Sequence, residues 1–221
     1  MRFVIPLLFG ILGCAVLIGL GVWQLQRLEW KNSLIAEIAG RVAADPEPLT
    51  ALEGLDPEED RFRPVTLSGE ITGAPLRVLG AWRGGGSGYR IVVPFAADAG
   101  PLLIDLGVVP LDADEVALPA GRVAVTGNLD WPDDANSGTP EPDGTTWFAR
   151  DPAAMADLLG TAPVMVVARA TDPALAPTPV PVGIEGIRNS HLGYAIQWFG
   201  LGLVWAGMTA FFLWRIRRRT T

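Results

Sequence analysis

Two long apolar runs bracket a middle whose hydrophobic residues come in short bursts. Phe3 to Trp23 contains no formal charge, and neither does Leu192 to Trp214. At about 1.5 Å per residue, 23 helical residues reach about 35 Å, enough to cross a bilayer with some tilt. After Trp23, at the level expected of an interfacial aromatic belt, the helical pattern continues. Trp23, Arg27, Lys31 and Leu34 recur at spacings of four and three, and no Gly or Pro intervenes before Gly40. This predicts an amphipathic stalk over residues 24–40 that ends near Gly40.

The middle has strand-length apolar segments separated by turn residues. Arg61–Ile71, Leu76–Trp82, Tyr89–Phe95, Leu102–Val109, Arg122–Leu129 and Val164–Ala168 read as strands. Gly84, Gly85 and Gly86 make the second and third a hairpin with a flexible tip. Asp151 as N-cap, Pro152 at the first helical position and Gly160 at the end mark one short helix. Trp131–Thr145 is rich in Pro, Gly, Asp and Asn and reads as an exposed loop. The prolines at 173, 177, 179 and 181 make an extended return segment leading to His191. The links between strands are too short for repeated helical crossovers, which predicts an antiparallel or mixed sheet rather than a doubly wound one.

The expected fold class is therefore a membrane protein with two transmembrane helices flanking a β-rich (α+β) extracytoplasmic domain. The expected division is a first span at 3–23, the stalk at 24–40 and the β-rich domain at 41–187. A surface segment at 188–191, the second span at 192–214 and a basic tail at 215–221 follow.

Charge sharpens the orientation. All 24 acidic residues lie between Gln24 and His191 with 12 of the 17 basic ones, so this stretch carries −12 and the flanks +5. By the positive-inside rule both termini face the cytoplasm and the middle lies across the membrane. An acidic middle also argues against nucleic-acid partners, which want basic grooves. The apolar run continues past Cys14 to Val22, so the first run reads as an uncleaved anchor rather than a signal peptide or lipoprotein leader. No longer presequence precedes it, which favours a bacterial precursor over an organellar one. That places the expected protein in a bacterial inner membrane, multi-pass, with its central domain periplasmic.

Candidate chemistry is sparse. One Cys and one His supply a structural zinc site poorly. Gly86-Ser87-Gly88 lacks the strand–Ser–helix context of a nucleophile elbow. Asp105, Asp112, Asp114 and Glu115 are irregularly spaced and read as a solvated acidic edge. Asp133 and Asp134 fall in the polar loop and read as exposed. His191, at the mouth of the second span, admits two readings. It could cap the helix or pair with a carboxylate, or its neutral imidazole could serve as an axial ligand for haem iron. A helix starting there puts Ala195, Trp198, Gly202 and Trp205 on nearly the same face. That face suits a flat macrocycle or the close approach of two helices. Arg27 and Lys31, at the same level, could meet haem propionates or lipid headgroups.

Two terminal signatures carry a family resemblance. Gly21-Val22-Trp23-Gln24-Leu25-Gln26-Arg27-Leu28-Glu29-Trp30-Lys31 is one, and Arg188-Asn189-Ser190-His191-Leu192-Gly193-Tyr194-Ala195-Ile196-Gln197-Trp198-Phe199 is the other. With Tyr89–Pro94 and the Leu102–Pro110 strand, they resemble the Surfeit locus protein 1 family, membrane assembly factors of cytochrome c oxidase. The resemblance implies no enzymatic turnover. It implies an assembly factor that binds haem a as transient cargo and aids its insertion into oxidase subunit I. A scaffold that binds an oxidase intermediate without holding haem is the alternative. The family's haem-binding histidine matches His191. Arg27, Lys31, Trp23 and Trp198 are the further expected cofactor contacts, and haem a synthase and membrane lipids the further expected partners. Leu106-Gly107-Val108-Val109-Pro110 departs from the family's Arg-Gly-Trp-Val-Pro at the arginine and the tryptophan.

Overall fold

The computed structural model describes residues 4–82, 86–113, 116–184 and 189–218. It divides into a helical unit, residues 1–37 with 184–221, and a β unit, residues 38–183. Two helices are long and apolar enough to cross a membrane, α1 (Val4–Ala43) and α3 (His191–Arg218). Together with the β-rich domain between them they match the expected fold class. The hairpin tip at 83–85, Asp114 and Glu115, the last part of the return segment at 185–188 with Arg188 of the surface segment, and the tail from Arg219 lie outside the described residues.

In the helical unit α1 and α3 run antiparallel, and small residues set their spacing. A Cβ on Gly10 would stand 2.1 Å from Thr209, one on Gly13 2.2 Å from the Trp205 indole, and one on Gly21 2.6 Å from the Phe199 ring. Without those side chains the helices approach closely, and close packing drives helix association where lipid removes the hydrophobic term. Gly10, Cys14, Leu17, Gly21 and Gln24 form the covered stripe of α1, at spacings of four and three. Opposite lie His191, Ala195, Trp198, Gly202, Trp205 and Thr209, at the same spacings. Trp205 Nε1 donates to the Gly10 carbonyl at 3.2 Å. Gly202 and Trp205 therefore serve helix packing, one of the two uses their shared face allowed.

The β unit is a closed barrel with additions. Its strands are β1 (Glu47–Pro48), β2 (Pro64–Ile71), β3 (Leu76–Trp82), β4 (Gly86–Ala97) and β5 (Gly100–Pro110). β6 (Arg122–Asp130), β7 (Thr146–Trp147) and β8 (Met165–Asp172) complete the set, and α2 (Pro152–Leu159) lies between β7 and β8. The hydrogen-bonded order is β1-β2-β6-β8-β5-β4-β3-β7, and β2 pairs again with β4. That second pairing closes β2, β6, β8, β5 and β4 into a ring and removes their free edges. All long pairings are antiparallel except β5 with β8, so the sheet is mixed, as the short links predict. Val65, Leu67, Ile91, Val93, Phe95, Leu102, Ile104, Val123, Val125 and Val166 fill the interior. A smaller outer core of Leu76, Val78, Val92, Leu103, Met155 and Met165 sits under α2. The predicted cap of α2 is present: Asp151 Oδ1 accepts from Ala154 N–H at 3.1 Å, and Gly160 ends the helix in the left-handed region.

α1 passes through Gly40, where the sequence expects its end, and stops at Ala43. A helical glycine costs about 1 kcal/mol, and tertiary contacts offset it. Arg169 Nη2 and Asn128 Nδ2 both donate to the Val42 carbonyl, one of the last four that a helix leaves unpaired. Asn128 is fully buried, and its Oδ1 accepts from Arg169 Nε at 2.6 Å. Replacing Arg169 with Leu removes charge-assisted bonds worth about 2 kcal/mol together. Hydrogen exchange of the amides in the last turn of α1 should accelerate by the corresponding factor of about 30.

Candidate functional site

Where α1 and α3 leave their apolar stretches, the covered stripe turns polar. Gln24 follows Gly10 and Leu17 at seven-residue spacing, so it points at α3, and it is 9% exposed. Its Oε1 lies 2.8 Å from Nδ1 of His191. An amide oxygen only accepts, so Nδ1 carries the hydrogen and donates it. In the neutral imidazole that leaves the lone pair on Nε2, directed away from Gln24. His191 is half-buried and opens α3. Asn189 Nδ2 donates to Asn32 Oδ1 at 2.7 Å, a second polar tie between the same segments.

The predicted site residues fall on adjoining faces. Lys31 is half-buried and lies on the stripe, seven residues beyond Gln24. Trp198 is half-buried on the His191 face of α3. Trp23 and Arg27 are exposed. At about 100° per residue, Trp23 stands a little over a quarter turn from Gln24. The Arg27 guanidinium stacks over Trp30, 3.9 Å from the ring centroid. The structure thus pairs His191 with Gln24, keeps Lys31 on the same stripe, and sets Trp23 and Arg27 to one side.

Gln24 stood inside the first signature, but its pairing with His191 was missed. The heptad from Gly10 through Leu17 to Gln24 was the available signal. Among the described residues no group of three or more His, Cys, Asp or Glu could hold a metal ion.

A second polar cluster lies on the outer face of the barrel and corrects the acidic-edge reading. Asp105 is 0% exposed rather than solvated. Its Oδ2 accepts from Arg90 Nη1 and faces Arg150 Nη1 at 3.5 Å, while its Oδ1 accepts from Gly107 N–H at 3.0 Å. Arg150 Nε donates to Asp134 at 2.7 Å, and Asp130 accepts from Arg61 at 3.0 Å. Burial alone would lower the pKa of Arg150. The bond to Asp134 and the charges of Asp105, Asp134 and Asp130 outweigh it and hold the guanidinium above its ordinary value. The signal was again local. A lone carboxylate in Leu102-Leu103-Ile104-Asp105-Leu106, a run apolar on both faces, needs a buried partner.

A covered helix pair with a polar mouth, joined to a closed β-barrel, defines a two-span membrane protein built around one extramembrane domain. The SURF1 family model matches residues 11–203, which covers the barrel, most of α1 and the first half of α3 as far as Leu203. The chain is 31% identical to Surfeit locus protein 1 of Rattus norvegicus over 85% of this chain and 69% of that protein. It is 32% identical to the Homo sapiens protein of that name, over 83% and 69%. It is 30% identical to a SURF1-like protein of Drosophila melanogaster, over 85% and 70%. The chain belongs to the SURF1 family, and so to the non-catalytic assembly factors of cytochrome c oxidase.

One expectation is corrected by these relatives. The chain was placed in a bacterial inner membrane, yet the proteins it resembles come from eukaryotes, from rat, human and fly to Monosiga brevicollis. The bacterial assignment leaned on the lack of a longer presequence. Span length and charge asymmetry report that a bilayer is crossed, and they are blind to which one.

Proposed function

We propose that this protein binds haem a at the polar mouth of its helix pair and aids its insertion into subunit I of cytochrome c oxidase, with His191 as the iron ligand. The observation that carries this is the 2.8 Å contact between His191 Nδ1 and Gln24 Oε1. Histidines that bind metals through one ring nitrogen donate the other N–H to an acceptor, which fixes the tautomer and raises ligand basicity. Gln24 meets that requirement and leaves Nε2 for iron. Trp198 and Trp23 offer aromatic faces to the ring, and Lys31 and Arg27 offer positive charge to the propionates. His191 is half-buried, which suits a cargo that is handed on rather than retained. Haem a synthase is the corresponding donor, and lipid headgroups surround the mouth.

The test is to purify the full-length protein from cells that make haem a. The wild type should carry haem a, and His191→Ala should lose at least tenfold in occupancy. Gln24→Leu should retain the ligand and weaken binding by about tenfold or more, the usual cost of removing such a supporting group. Equal occupancy and identical spectra for the wild type and His191→Ala would overturn the ligand assignment. Subunit I co-purifying without any pigment, independently of haem a synthesis, would favour a scaffold that never holds haem.

A further inference from the structure

Beside the outer core of the barrel lies a polar cleft of about 340 Å³, lined by residues of the β unit alone. Its walls are β3 on one side and residues Phe148 to Arg150 on the other, with Arg90 and Asp134 also facing it. The cleft exists because two chains diverge. β7 pairs with β3 only at Arg77 and Val78, and the chain then leaves the strand edge toward α2. Arg77 N–H bonds to Thr145 on the β7 side, so by the two-residue period Leu79 and Ala81 also present backbone groups on that edge. Ala81 lies beyond the last β7 pairing and is exposed, and among the described residues nothing pairs with its N–H and C=O on that edge.

The charges in the cleft are unequal in how firmly they are held. Arg90 and Arg150 are each 18% exposed and share the fully buried Asp105, which anchors both from behind. Asp134, by contrast, is 44% exposed and belongs to the loop between Trp131 and Thr145. It is the replaceable carboxylate, held by Arg150 through one 2.7 Å bond to Nε. A guanidinium suits carboxylates through its fork of donors, and an open strand edge suits an extended backbone. We infer that this cleft binds an extended peptide segment of a partner protein, whose carboxylate takes the place of Asp134 on Arg150 while its main chain pairs with β3 at Ala81.

Exchange of one carboxylate for another keeps Arg150 paired, while the displaced Asp134 stays tethered nearby and its charge weakens binding to the wild type. Asp134 is a tethered competitor at high effective concentration. Removing it frees Arg150 without touching the buried anchor, and it sits on an exposed loop where substitution leaves the barrel intact.

The experiment uses the full chain in detergent micelles. The probe is a fluorescein-labelled heptapeptide of alternating Val and Thr with a central Asp, its control the same peptide with Asn, and succinate is the small-molecule competitor. Fluorescence polarisation should show weak binding of the Asp peptide to the wild type and binding at least tenfold tighter to Asp134→Ala, which leaves no acceptor on Arg150 Nε. Ala81→Pro, which removes the edge N–H and no ladder bond, should cancel that gain. Equal affinity of Asp134→Ala and the wild type for the Asp peptide would overturn the inference, as would equal binding of the Asn peptide. Succinate competing as well as unlabelled Asp peptide would also overturn it, since the site would then be one for small carboxylates. Haem occupancy should be unchanged in both variants, so the outcome is independent of the His191 assignment.

Discussion

Asp105→Ala is expected to destabilise the barrel by about 3–5 kcal/mol, because it leaves buried guanidinium charge without its partner. The carboxylate is 0% exposed and serves Arg90, Arg150 and the Gly107 N–H together. Arg90 keeps the Val180 carbonyl at 3.2 Å and Arg150 keeps Asp134, but neither replaces a charge in the interior. For a domain of this size the loss corresponds to a fall in Tm of roughly 10 °C or more. Thermal unfolding followed by circular dichroism would show it. Asp105→Asn retains the shape and one acceptor for Arg90, so it should fall between the wild type and the alanine variant. A Tm of Asp105→Ala within 2 °C of the wild type would show that the cluster is solvated in practice.

The second large effect is expected at Gly107. Its φ of +109° lies where side chains are strained, and a Cβ there would stand 2.1 Å from the Thr178 carbonyl oxygen. Thr178 is the point where the return segment docks on the barrel. Val108 N–H donates to its carbonyl at 2.8 Å, and its N–H donates back to Val108 at 2.9 Å. Gly107→Ala therefore carries backbone strain of about 1–3 kcal/mol and a steric clash with main chain that has no side-chain freedom to yield. The return segment should detach while the barrel ring survives. Limited proteolysis would then cut between residues 173 and 184 in Gly107→Ala and leave the wild type intact there. This also gives the partial family match at this strand a physical sense. Gly107 and Pro110 are retained, whereas the departures at Leu106 and Val108 fall on positions only 2% and 5% exposed, where apolar side chains pack.

Much of the frame was legible from local rules. Span length, the cap at Asp151 and the turn residues between strands each depend on a few neighbouring residues, and each led to the right element. The helix face from His191 to Trp205 was legible for the same reason, since it follows from 3.6 residues per turn alone. The apolar run around Asp105 carried a local sign of its burial, but not its partner: nothing near it in sequence names Arg150, which follows on the chain 45 positions later. The end of α1 moved past Gly40 for a similar reason. Its cap comes from Arg169 and Asn128, on strands far along the chain.

By itself, then, the chain determined two membrane-length helices, a β-rich domain with an antiparallel or mixed sheet, the family, and a histidine at the mouth of the second helix. These rest on periodicity, composition and motif, which short stretches carry. Only the tertiary structure decided that the strands close into a ring, that Gln24 meets His191, and that Arg90, Arg150 and Asp105 converge beside an open strand edge. Each of those depends on contacts between distant residues. They form where burial makes an unpaired polar group too costly to leave unpartnered.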